Sequence, residues 1–371
     1  NPFWAGVVRG PALMGLITWI VSFPKSGNTW FRIFAANALT QMERPGAEPL
    51  PINRVGRVIS GQVAASLYEP LLNKPFREAA MSEIAALHER AQERFVGKFD
   101  GGCMLKSHFP RVTDPFGNRA INESVMGGAI YIVRDPRDVV LSFKDHMGID
   151  SVDGAIRAMC HPALAGYGGP KRATELFGRW DRHVASWLKT GNPNVVLLRY
   201  EDMVRAPYDA LGGAALRAGV QCDEAAIGAA LDAASFDRLS AEEESGGFRE
   251  RSRHSQKFFR KGQVGGWVDE LTRDQIDRIE GAFGDVMQKL GYPLGRAARE
   301  NPLPPLPWRY RGLVWALRKT GVTGPVLPTP QVHLDGVFAD SMADPLPDAE
   351  TAETVAREFD LVALRQMKRK E

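Results

Sequence analysis

Cysteine is scarce: Cys103, Cys160 and Cys222 stand far apart in a chain of 371 residues. That spacing offers neither a disulfide framework nor a metal-binding knuckle, and it reads as reduced cytosolic thiols. An excess of charge of one sign is nearly missing too. Lys and Arg outnumber Asp and Glu by a formal +3, so no nucleic-acid partner is expected, and basic residues matter only where they cluster. No apolar run reaches the about 18 residues that a membrane-spanning helix needs, so no transmembrane segment is expected. No internal repeat is visible. What is present is a chain with 44% hydrophobic residues, long enough for one large or two ordinary cores.

The most informative stretch runs from Ile17 to Trp30. A short apolar strand, Ile17–Phe23, leads straight into Pro24-Lys25-Ser26-Gly27-Asn28-Thr29-Trp30, and helical spacing follows to Leu39. Strand, tight basic turn with a glycine, and helix start together build a cradle for a phosphate-type anion. The first N–H groups of a helix lack intrahelical acceptors, and the aligned peptide dipoles add partial positive charge there. Lys25 contributes a full charge, while Ser26, Asn28 and Thr29 contribute donors. The segment marks a protein that holds a phosphate or sulfate ester. It is not a Walker A loop, G-x-x-x-x-G-K-[ST], because Lys25 precedes the single Gly27 and no glycine opens the loop. The bland reading is a strand-to-helix turn with an accidental lysine.

Further strands are expected at Cys103–Lys106, Ala129–Val133 and Val195–Arg199. Helical patterns fall at Thr29–Gln41, Ala79–Phe95, Pro136–Met147, Lys171–Thr190, Pro207–Ala218 and Thr272–Leu290. The alternation predicts an α/β fold: a P-loop-type parallel sheet flanked by helices on both faces. In such sheets ligands bind beyond the carboxyl ends of the strands, and there Lys25, His108 and Arg134 would converge. Arg44–Gly61 reads as a loop, and Gly148–Pro170 as a flexible cover near the acceptor. Prolines recur from Asn301 to Pro347, whereas Asp348–Lys370 is helical in pattern, acidic first and basic last. The expected domains are a core over 14–295, an irregular Pro-rich C-terminal extension over 296–371, and a non-core N-terminal extension over 1–13, ahead of Met14.

Other segments, taken in order, carry a resemblance. They are Leu105-Lys106-Ser107-His108-Phe109-Pro110, Arg134-Asp135-Pro136-Arg137-Asp138 with Ser142 beyond it, and Tyr200-Glu201-Asp202-Met203. Ala234-Ser235-Phe236 and Arg260-Lys261-Gly262 follow. Together with the Lys25 turn they resemble sulfotransferases of the cytosolic type, which use 3′-phosphoadenosine 5′-phosphosulfate. The resemblance covers roughly the first 290 residues. It implies that Lys25, Ser26, Gly27, Asn28, Thr29 and Trp30 cradle the 5′ end of the nucleotide. It also implies that Arg134, Ser142, Arg260 and Lys261 clamp the 3′-phosphate, with Gly262 letting the backbone approach. Trp30, Tyr200 and Phe236 are adenine-contact candidates, and Ser235 belongs to the same segment as Phe236. For Trp30 a place in the core is the competing reading, and for Arg134 a surface salt bridge.

Sulfuryl transfer passes an SO₃ group to an oxygen or nitrogen nucleophile. That group carries less charge than a phosphoryl group, so side-chain cations can replace magnesium and no metal is expected. Asp135 and Asp138 read as helix-start partners. His108 is the expected general base, because a free imidazole can take a hydroxyl proton at neutral pH. Residues two apart in a strand share a face, so Lys106 would stand beside it and stabilise the sulfonate or the bridging oxygen. Lys25 would neutralise the leaving phosphate, and the resemblance adds a contact between Lys25 and Ser142. Gly265-Gly266-Trp267-Val268 departs from the family's G-D-W-K, which leaves the packing of that loop open. The family's dimer element has no copy around Thr272, and the oligomeric state stays open.

The alternatives are a P-loop kinase, which would need ATP and magnesium, and a nucleotide-binding protein without turnover. Expected partners are the donor nucleotide and a small-molecule hydroxyl acceptor, in the cytoplasm. Phe109, Phe143, Met147 and Tyr167 suggest an apolar or aromatic acceptor, with a carbohydrate or lipid hydroxyl as the alternative.

Overall fold

The computed structural model describes residues 7–8, 15–114, 116–166, 168–188, 195–259 and 262–302. Tyr167, Arg260, Lys261 and the segment Asp348–Lys370 lie outside the described residues.

One sheet organises the molecule. Its strands are β1 (Val7–Val8), β2 (Ile17–Ser22), β3 (Ser60–Gly61), β4 (Gly102–Ser107), β5 (Met126–Val133) and, after a separate hairpin, β8 (Val195–Arg199). β3, β4, β2, β5 and β8 run parallel in that spatial order, and β1 pairs antiparallel with β4. Thus Val7–Val8, in the stretch expected outside the core, adds a short strand to the sheet edge.

The strands read as unbroken apolar runs because both faces are covered. Period-two alternation sends Ile20, Ile130, Ile132 and Leu198 into one core and Trp19, Val21, Tyr131, Val133 and Leu197 into the other. Helices Asn28–Glu43 and Glu224–Ala233 cover the first face. Helices Pro136–Met147, Trp180–Leu188 and Arg273–Lys289 cover the second. The helix after β5 begins sharply: the Asp135 side chain accepts the Arg137 N–H at 2.9 Å, and Pro136 occupies the first turn. It ends at Gly148, whose φ of 68° supplies the left-handed stop.

Several expected elements differ. The Ala79–Phe95 pattern divides into helices Met81–Ala85 and His88–Val96. Of Lys171–Thr190 only Trp180–Leu188 is helical among the described residues, since Gly178 sits at φ 65° and cannot continue a right-handed turn. Ahead of it Glu175–Leu176 (β7) pairs antiparallel with Ala165–Gly166 (β6). The expected flexible cover holds helix Val152–Met159, capped by Ser151 and seated on the second core through Ala155, Ile156 and Met159. Pro207–Ala218 starts as a π-helical turn, Tyr208–Gly212, before one α turn, Gly213–Arg217. No helix among the described residues is long and apolar enough to cross a membrane.

Candidate active site

The carboxyl ends of β2, β4, β5 and β8 open on one cleft of about 1470 Å³. Lys25, Lys106, His108, Arg134, Ser142 and Tyr200 all line it.

At its floor, the turn after β2 is held in an unusual conformation. Lys25 is the one non-glycine with positive φ among the described residues, at 68°, and Gly27 follows at 102°. The first helical bond runs from the Phe31 N–H to the Gly27 carbonyl at 3.1 Å. The N–H groups of Asn28, Thr29 and Trp30 therefore have no acceptor within the helix. The Asn28 amide donates to the Ile20 carbonyl at 3.1 Å, which ties the helix start back to β2. Ser26 is fully buried, and its hydroxyl has no hydrogen-bond partner among the described residues. Such an orphan is costly unless a ligand satisfies it. The whole turn suits a phosphate-type anion. The Lys25 ammonium lies 4.0 Å from the centre of the Phe258 ring, a cation–π contact on the cleft wall. The Thr29 hydroxyl donates instead to Glu250 at 3.2 Å, and Glu250 pairs with the buried Arg32 at 2.9 Å.

His108 follows β4 directly. Its Nδ1 lies 2.7 Å from the Ser22 carbonyl oxygen, which can only accept, so Nδ1 carries the hydrogen and Nε2 the lone pair. Burial first, then the Lys106 charge, holds its pKa well below 6.5. At neutral pH the ring is an uncharged base. The backbone around it is clamped from both sides. Glu175 accepts the His108 N–H at 2.5 Å, and His183 Nε2 donates to the His108 carbonyl at 3.0 Å. The Tyr131 hydroxyl in turn donates to His183 Nδ1 at 2.8 Å. Lys106 faces Glu175 at 3.6 Å. Burial pulls the lysine pKa down, and the carboxylate partly restores it.

Arg134 ends β5. It donates to the Lys25 carbonyl at 3.4 Å and the Gln263 carbonyl at 3.1 Å, and its guanidinium lies 4.4 Å over the Tyr200 ring. Its Nε is buried without a hydrogen-bond partner among the described residues. Arg137, three residues on, does something else. It is fully buried, bound to Asp135 and Glu280 at 2.6 Å each, and stacked 3.9 Å over Trp267. Asp138 accepts the N–H groups of Gly265 (2.8 Å) and Trp267 (3.1 Å), so the departing Gly265-Gly266 loop is anchored through backbone groups. Asp135 thus serves the start of its own helix as expected, whereas Asp138 does not: it binds backbone groups of the distant Gly265–Trp267 loop.

Trp30 donates to the Ala234 carbonyl at 2.8 Å and meets Tyr200 edge-on at 5.8 Å. Phe236 lies against Gly262, where an added Cβ would come within 2.8 Å of the ring. Ser235 is exposed just before helix Phe236–Gly246. Phe259 and Gly262, which flank Arg260 and Lys261, line the cleft.

Two of the residues that suggested an apolar or aromatic acceptor lie elsewhere. Phe109 and Phe143 are buried at 4% and 0% exposure, the first packed on His88 and the second on Phe23. Neither lines the cleft, whereas Met147 does. Glu175, Arg172, His146 and the Arg32–Glu250 pair line it unannounced by any motif, because only the packing of distant segments brings them there. Among the described residues no group of three or more His, Cys, Asp or Glu is placed to hold a metal ion.

A model of the sulfotransferase domain matches residues 17–291. The chain belongs to the sulfotransferase family. This sulfotransferase is 24% identical over 294 residues to cytosolic sulfotransferase 5 of Arabidopsis thaliana, covering 73% of the chain and 80% of the relative. It is 22% identical over 283 residues to sulfotransferase 2A2 of Mus musculus, covering 74% and 85%. Its fold is similar to that of a retinol dehydratase solved with retinol and PAP, with a TM-score of 0.51 at 17% identity over 78% of this chain and 86% of the other. A second structure of a retinol dehydratase, with androsterone and inactive cofactor PAP, superposes equally well: TM-score 0.51, 16% identity, 76% and 84% covered. The family match displaces the kinase reading.

Proposed function

We propose that this sulfotransferase moves a sulfuryl group from 3′-phosphoadenosine 5′-phosphosulfate to a hydroxyl of a small-molecule acceptor, with His108 as general base. One observation carries the reading: an imidazole fixed with its Nε2 lone pair available lines the same cleft as Lys25, Lys106 and the anion turn. The names of its relatives support it, since they are cytosolic sulfotransferases and structures with PAP. A cytoplasmic site of action is part of the same proposal.

The donor, when bound, supplies an electrophilic sulfur and a phosphate leaving group. The residues fit such a group: the orphan Ser26 hydroxyl and the open helix N–H groups suit its 5′ end. Arg134, Ser142, Arg260 and Lys261 would hold the 3′-phosphate, and Trp30, Tyr200 and Phe236 would border the base. His108 Nε2 takes the acceptor hydroxyl proton as the oxygen becomes nucleophilic. Lys106 and Lys25 place positive charge where the sulfonate and the departing phosphate gather negative charge. Calorimetry with adenosine 3′,5′-bisphosphate against ATP, with and without magnesium, tests the donor assignment. Tight, magnesium-independent binding of the bisphosphate is expected, and preference for magnesium–ATP would overturn it.

A further inference from the structure

We propose that the acceptor of this enzyme bears an anionic group as well as its hydroxyl, and that Arg172 receives that group beside His108. The inference rests on the sulfotransferase reading of the cleft and names the substrate class that this cleft prefers.

The argument is a local count of charge. Glu175 is fully buried, and one of its oxygens is taken by the His108 N–H. The other faces two cations, Lys106 at 3.6 Å and Arg172 at 3.7 Å, and makes no hydrogen bond. One carboxylate therefore stands against two positive charges at the base. Lys106 points to the transferred sulfonate in the reading above, which leaves Arg172 for the acceptor. Its side chain is 52% exposed and lines the cleft.

Of the other acids in the lining among the described residues, Glu250 also acts on Lys106, but Arg32 acts there with the opposite sign and balances it. Glu250 is engaged by Arg32 and Thr29. Asp138 holds the Gly265 and Trp267 N–H groups, and Glu270 lies beside Gly266 at that same end. His146, one turn beyond Ser142, has a buried Nδ1 with no hydrogen-bond partner among the described residues. Burial first, then the charges of Lys25, Arg172, Lys106 and His254, pushes its pKa down to about 3. It stays neutral there and adds polarity without charge. Exposed Arg249 and Arg253 also line the cleft and would steer an anion inward. An uncharged acceptor body would leave this positive potential unused, whereas an anionic one is stabilised by it.

The test titrates the full chain, saturated with adenosine 3′,5′-bisphosphate, with 4-hydroxyphenylacetate, its methyl ester and tyramine. These share one phenol and differ in charge. The anion is expected to bind about tenfold tighter than the ester, with tyramine weakest. In Arg172→Met the gap should fall to within about threefold, while Arg172→Lys should keep most of it. Equal affinities, an unchanged gap in Arg172→Met, or no binding of the anion at millimolar concentration would overturn the inference. Failure of the donor reading is visible separately, as absence of bisphosphate binding in the first titration, and it would sink this inference too.

Discussion

Glu175 accepts the backbone N–H of His108 at 2.5 Å and so couples a carboxylate to the base without touching its ring. The same side chain faces Lys106, which makes Glu175 a positioning residue for both groups. In Glu175→Gln the amide oxygen can still accept the His108 N–H, but the negative charge is gone. Since that charge raises the Lys106 pKa against burial, its removal lets Lys106 lose its proton at lower pH. The expected result is a kcat roughly tenfold lower near neutrality, with the alkaline limb of the pH–rate profile shifted to lower pH. Bisphosphate binding and the acid limb should hold. A purely structural role would lower the melting temperature and leave both limbs in place.

His108→Ala should keep bisphosphate affinity and lower transfer about 10²–10⁴-fold. The wild-type profile carries a second check. A base works only unprotonated, and burial holds this imidazole below 6.5. Activity should therefore fall only as pH drops beneath that value. An acid limb centred above 6.5 in kcat/KM would remove His108 from the role.

Two arginines three residues apart should separate cleanly. Arg134→Ala, at the cleft, is expected to weaken adenosine 3′,5′-bisphosphate by about ten- to a hundredfold while changing adenosine 5′-monophosphate little. Arg137→Ala strips Asp135 and Glu280 of their buried partner, so stability should fall by about 3–5 kcal/mol. Chemical denaturation beside calorimetry reads both. Similar nucleotide losses in the two variants would contradict this division.

An added Cβ at Gly27, where φ is 102°, would sit 2.7 Å from the Tyr200 ring. Gly27→Ala should destabilise the protein by about 1–3 kcal/mol and weaken bisphosphate binding. Gly117→Ala is the control: its φ is 85°, but nothing lies within 4 Å of the added Cβ. Equal melting temperatures for the two would show that Tyr200 yields easily.

Much of the sheet was legible in the chain because β2, β4, β5 and β8 are buried on both faces and so appear as short unbroken apolar runs. The Lys25 turn, His108, Arg134 and Tyr200 were legible for a related reason: each comes directly after such a run. The hairpin of β6 and β7 was not, since two-residue strands leave no periodicity to detect. Glu175 gave no signal, being an acid in a stretch read as helix. Phe143 misled for the opposite reason. It follows the Arg134 segment closely, yet its side of the helix faces Phe23 and the core.

Strand order along the chain, the anion turn and the family resemblance follow from residues adjacent in sequence, because backbone conformation and helix capping are short-range effects. The His108 tautomer, the sharing of Glu175 between Lys106 and Arg172, and the diversion of Arg137 into the core depend on groups far apart in the chain. Those were settled by packing alone: which charges stay available at a site is decided by the partners that folding brings beside them.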